Sequence, residues 1–90
     1  MNRHALIEDA IRSAFFEIAG RPAHDAVRLS KLRAKLEYID RKDLNEALLQ
    51  MRKSGAANLM NLDNPRDIEA EGDAALKAAD QTFHIVWIES

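Results

Sequence analysis

Apolar residues recur at three- and four-residue intervals along the first twenty positions: Ile7, Ala10, Ile11, Ala14, Phe15 and Ile18 form one stripe. That spacing predicts an amphipathic helix from about Asn2 to Ala19. Gly20 is placed to end it and Pro22 to prevent its resumption. Phe16 lies on the flank of the stripe, so two adjacent phenylalanines widen its apolar face. Residues 21–29, RPAHDAVRL, read as a connector ending in a short extended piece, Val27 to Leu29. Ser30 is a good N-cap for helix 2, SKLRAKLEY, whose Leu32 and Leu36 face inward with Leu29. Asp40 is placed to cap helix 3, with Asp43 three residues later as a short-armed capping box. Helix 3, RKDLNEALLQMRKSG, carries the stripe Leu44, Ala47, Leu48 and Met51, and Ser54–Gly55 closes it. Only a few residues separate helices 2 and 3, which is the economy of a helix-turn-helix.

After Gly55 the period changes. AANLMNLD alternates, with Ala57 and Leu59 on one side and Asn58, Met60 and Leu62 on the other, as in a strand. Asn64 followed by Pro65 is a cap with proline in the first helical position. The excursion that follows, within residues 64–80, is expected to be helical around Ala70 to Ala79 and interrupted by Gly72. QTFHIVWIE is the clearest strand, rich in β-branched and aromatic residues. Phe83, Ile85 and Trp87 point one way and His84, Val86 and Ile88 the other, so both faces call for cover. The last two strands can pair as an antiparallel hairpin, with Val27–Leu29 as a candidate third member.

This order resembles the winged helix-turn-helix domains common in bacterial regulators. The residues carrying the resemblance are VRLSKLRAKL, DLNEALLQMRKSG and AANLMNL, and it covers about residues 27–90. It implies a single α+β domain, mainly α, over residues 1–90. Three helices, one of them an extra N-terminal helix, would accompany a two- to three-stranded antiparallel sheet and a long acidic wing.

Composition adds limits. Ninety residues make one domain, one that buries about 60–65 % of its unfolded surface. With no cysteine, disulfides and thiolate chemistry are excluded. No apolar run approaches a membrane span, and the N-terminus MNRHALIEDAIRS carries acids where a signal peptide has its apolar region. A soluble cytoplasmic protein with no membrane partner is the expectation. The net charge of −2 hides an asymmetry: residues 1–20 carry −1, residues 21–53 carry +4 and residues 54–90 carry −5. What a partner feels therefore depends on the face presented.

The resemblance assigns the basic middle a role. In winged-helix DNA binders the counterpart of Asp43–Lys53 enters the major groove. Lys42, Asn45, Gln50 and Lys53 would then be the leading contacts to double-stranded DNA, the amides suiting adenine edges. Arg28, Lys31, Arg33, Lys35 and Arg41 would anchor phosphates, while Glu46 would face a polyanion. The first helix stands where many such regulators keep a dimerisation helix, making Ile7, Ile11, Phe15 and Phe16 the expected contacts of a homodimer. The plainer reading is that the basic residues are ordinary solvent-facing ones among Glu37, Asp40, Asp43 and Glu46. The wing, with six acids against Arg66 and Lys77, carries −4 and would be repelled by phosphates. An alternative is therefore a non-DNA-binding adaptor that docks another protein through the wing and the Phe15–Phe16 surface.

Catalysis is not expected. His4, His24 and His84 show no ligand spacing, so neither a metal nor another cofactor is anticipated. The serines have no evident base partner, no glycine-rich phosphate loop is present, and the carboxylates of 63–73 fall in an exposed stretch.

Overall fold

The computed structural model describes residues 3–78 and 80–89. Asn2, the expected start of the first helix, and Ala79, the expected end of the excursion's helix, lie outside them. Helix α1 runs over Arg3–Ala19 and ends at Gly20, whose φ of 91° sits in the left-handed region that favours glycine. Strand β1, Val27–Arg28, leads directly into helix α2, Leu29–Lys35. Ser30 lies inside α2 and does not cap it: Arg28 holds the cap position, with no side-chain capping bond. Helix α3 spans Arg41–Ser54. Asp40 precedes it without a side-chain capping bond, and its carbonyl accepts from Leu44 N at 2.9 Å. The expected capping box is absent because the Asp43 carboxylate instead meets Arg3 of α1. Gly55, with φ of 85°, closes α3.

Strand β2, Asn58–Met60, alternates as its sequence implies, with Leu59 buried and Asn58 and Met60 exposed. The excursion differs from expectation. Its helix, α4, is Pro65–Ala70, opened by Asn64 Oδ1 accepting from Arg66 N at 2.9 Å. Residues 76–78, expected to be helical, form strand β3, Leu76–Ala78. The expected last strand is two, β4 over Gln81–Phe83 and β5 over Ile85–Trp87, parted at His84. The physical reason is that β4 turns away to pair with β3 while β5 continues elsewhere.

The architecture is α+β, with four helices and two small antiparallel sheets among the described residues. The larger sheet has the order β1-β5-β2, with Val27 and Leu59 both opposite Val86. The smaller pairs β3 with β4, Leu76 opposite Phe83. His84 is the joint between them. Its backbone carbonyl accepts from Leu29 N at 2.9 Å, its N–H donates to Met60 O at 2.8 Å, and its Nδ1 accepts from Leu62 N at 3.1 Å.

One core gathers the expected stripes: Ile11 and Phe15 of α1, Leu29 and Leu32 of α2, Ala47, Leu48 and Met51 of α3, and Val86 of β5 are all without exposure. Three of the four residues expected at a subunit contact through the first helix are taken up by this core. Ile7, Ile11 and Phe15 retain 7 %, 0 % and 0 % exposure within the monomer, because their stripe already faces α2 and α3 of the same chain. Phe16 is half-buried, edge-on to Phe15 at 5.1 Å, with the Arg21 guanidinium 4.5 Å from its ring centroid. Phe15 also meets Trp87 edge-on at 6.0 Å.

Candidate functional site

The site to be built is the basic side of α2 and α3. Residues advance about 100° around an α-helix, which divides the circumference of α3 four ways. Leu44, Ala47, Leu48 and Met51 face the core. Asp43 lies on the flank toward α1, where it meets Arg3. Arg41, Asn45 and Arg52 share the other flank. Lys42, Glu46, Gln50 and Lys53 point outward and are exposed, with half-buried Leu49 beside them.

The flank of Arg41, Asn45 and Arg52 is bordered by the excursion and β4, although Arg41 and Arg52 stay exposed. Arg41 Nη2 donates to the carbonyl of Ala75 at 3.2 Å. Asn45 Oδ1 accepts from Arg33 Nη2 at 2.7 Å, and Arg33 Nε donates to the carbonyl of Ala74 at 2.7 Å. Farther along, the Arg52 guanidinium lies 4.9 Å from the centroid of the Phe83 ring and donates to Gln81 Oε1 at 3.4 Å.

The same segment closes over the start of α2. Asp67 and Glu71, four residues apart at the end of α4, fall on one side of the chain and face Arg28 and Ser30. Arg28 Nη2 donates to Asp67 Oδ1 at 3.1 Å, and its Nε stands 4.0 Å from Glu71 Oε1. Ser30 Oγ donates to Glu71 Oε1 at 2.8 Å. Glu71 is 2 % exposed. A carboxylate can be carried to that depth because a hydroxyl, a guanidinium and the first turn of α2 favour negative charge there.

The clamp is not fully satisfied. Glu71 Oε2 and Arg33 Nη1 are buried without a hydrogen-bond partner. Burial, and then the neighbouring Arg41 guanidinium, push Arg33 down to about 10. A base lowered on folding binds its proton less tightly in the native state. Its charge therefore subtracts from stability at neutral pH, and that loss lessens only as pH rises above about 10.

The nine residues expected to meet DNA thus separate. Arg28 is held by Asp67 and Glu71, Arg33 and Arg41 by the carbonyls of Ala74 and Ala75, and Asn45 by Arg33. Lys35 reaches Glu17 of α1 at 2.7 Å. Lys31, Lys42, Gln50 and Lys53 remain exposed. The basic face is therefore engaged in part from within: Arg28 is paired with acids of the excursion, Arg33 and Arg41 are held by its carbonyls, and Lys31, Lys42 and Lys53 stay open.

Sequence reasoning missed Asp67, Glu71 and Ser30 as partners of that face. The available signal was the four-residue spacing of Asp67 and Glu71 after the Asn64–Pro65 cap. What the arrangement does chemically is hold charge, with guanidinium donors set against carboxylate and carbonyl acceptors. Among the described residues no group of three or more His, Cys, Asp or Glu side chains is placed to hold a metal ion. Among them, too, no helix is long and apolar enough to cross a membrane. No family model, curated protein or solved structure matches the chain.

Proposed function

We propose that this chain is a winged-helix module that docks onto another protein and does not use its basic helix pair to read DNA. The β1-β5-β2 order, with α2 and α3 between the first two of its strands in sequence, supports the winged-helix reading. The excursion between β2 and β5 then stands in the place of the wing. One observation carries the function: Arg28, Arg33 and Arg41 are engaged by the wing, Arg28 by Asp67 and Glu71 and the other two by the carbonyls of Ala74 and Ala75. A phosphate backbone would have to displace Asp67 and Glu71 from Arg28 and the carbonyls of Ala74 and Ala75 from Arg33 and Arg41, and it would meet the other acids of a segment carrying −4. Meanwhile Asp63, Glu69, Asp73 and Asp80 remain exposed, beside half-exposed Met60 and Ile68.

A second reading rests on the exposure of Lys42, Gln50 and Lys53 along the outer face of α3, with Lys31 exposed on α2. These are the groups still able to contact a groove. Fluorescence anisotropy with duplex DNA across a salt series separates the two. The docking module shows no retention even at about 50 mM salt, whereas a DNA reader loses affinity steeply as salt rises, reporting several released counterions. Retention abolished by Lys42→Glu with Lys53→Glu, the fold intact by circular dichroism, would establish DNA reading and overturn the proposal.

A further inference from the structure

The place where the two sheets part is also where apolar surface is left uncovered. Strand β4 pairs with β3 along one edge, while β5 continues between β1 and β2. The other edge of β4 carries no strand. Across from it the chain leaves β2 through residues 61 and 62, tied to His84, whose N–H donates to Met60 O and whose Nδ1 accepts from Leu62 N. The result is a cleft of about 550 Å³ between Leu59–Leu62 on one wall and Asp80–His84 on the other, with Ile68 of α4 also lining it. Four large apolar side chains are exposed among the described residues, Leu6, Tyr38, Met60 and Ile68. Two of them, Met60 and Ile68, each 37 % exposed, line this one cleft.

We propose that this cleft binds an extended segment of a partner protein in which apolar residues alternate with lysine or arginine. The inference rests on the docking reading above and names its surface. His84 already spends its N–H on Met60 O and its carbonyl on Leu29 N, so the edge that can offer backbone groups to an added strand is the Asp80–Thr82 end, where alternate side chains of that strand would meet the cleft walls. Met60, Leu62 and Ile68 accept the apolar set. The basic set is called for by Asp80 at the cleft's edge, by neighbouring Asp63, and by the acidic excess of the whole excursion. The charges that oppose it are Arg52, already engaged with the Phe83 ring and Gln81 Oε1, and exposed Lys77 of β3, opposite Thr82.

The test is a selection from a randomised twelve-residue peptide display library on the full chain. The best-enriched sequence is then synthesised, and its contacts are mapped by amide chemical shifts. The expected result is enrichment of alternating apolar and basic residues, with shifts at 59–62 and 80–84. Ile68→Lys and, separately, Asp80→Lys should each weaken the synthetic peptide about tenfold or more. Ile68 and Asp80 are both exposed, so both variants keep the wild-type circular dichroism spectrum. A proline at the centre of the peptide should abolish binding, since it removes a ladder donor.

No enrichment, enrichment of acidic peptides, or indifference to the proline overturns the cleft assignment. Shifts confined to α1 or the outer face of α3 overturn the cleft but leave the docking module standing. Salt-steep retention on duplex DNA with no peptide selected overturns both. Sedimentation showing a dimer lost in Ile68→Lys assigns the cleft to a second copy of the chain and also overturns the proposal.

Discussion

At the scale of single residues, Arg33 illustrates why a side chain's type does not reveal its task. In the sequence it is one of nine basic groups between residues 21 and 53. In the structure it donates to Asn45 Oδ1 and the Ala74 carbonyl, and it leaves Nη1 without a partner. Removing it strands two acceptors in a place with little water. Arg33→Ala should therefore lower stability by about 2 kcal/mol, read from the shift of a urea unfolding midpoint. A surface arginine would change it by less than about 0.5 kcal/mol, so a value in that range would remove Arg33 from the clamp. Hydrogen exchange should also quicken across 71–76 in the variant, because the contact that holds Ala74 is gone. Glu71 has the same lesson in the opposite sign. Counted as one more acid that repels phosphate, it is instead a buried carboxylate that accepts from Ser30 in the first turn of α2.

At the scale of elements, local chemistry foretold the helices better than the excursion. The stripes of α1 and α3 specified both their extent and the faces they bury, because period and burial agree along many residues. The Gly55 stop of α3 was legible for a backbone reason. Its φ of 85° and ψ of 4° are open to glycine, and nothing lies within 4 Å of where a Cβ would stand. Gly55→Ala should accordingly cost about 1–2 kcal/mol through backbone strain without any clash, measured by thermal or urea unfolding. A cost near zero would mean that the helix end shifts to another residue. Residues 70–79 misled because their alanines favour a helix, whereas Leu76 and Phe83 bury themselves by pairing across a hairpin. Pairing with the next strand of a tight hairpin overrode intrinsic propensity there. The division of QTFHIVWIE at His84 was not readable for a similar reason. Nothing in its alternation says that its two halves take different partners.

At the scale of the whole molecule, the decisive event is the folding back of an acidic segment over a basic helix pair. It turns a charge asymmetry that looked like an electrostatic footprint into an internal contact. Separately, the apolar stripe of the first helix, Ile7, Ile11, Ala14 and Phe15, is buried in the core of the chain itself. Phe15→Ala should therefore remove about 3–5 kcal/mol, a large share of what a chain of this size possesses. The loss should be the same at every protein concentration, which sedimentation alongside urea unfolding would check. A loss that grew as the protein was diluted would restore Phe15 to a subunit interface.

Periodicity and capping were enough to establish an α+β chain, the span of its two longer helices and the apolar residues of its core, because those follow from contacts within a few residues. Which cations stay open to a partner, where the last strand divides and which surface is left uncovered depend on residues some 25 to 41 positions apart meeting in space, such as Arg28 with Asp67 and Ser30 with Glu71. Such meetings are set by how packed elements close over one another, and no local pattern of side chains encodes that.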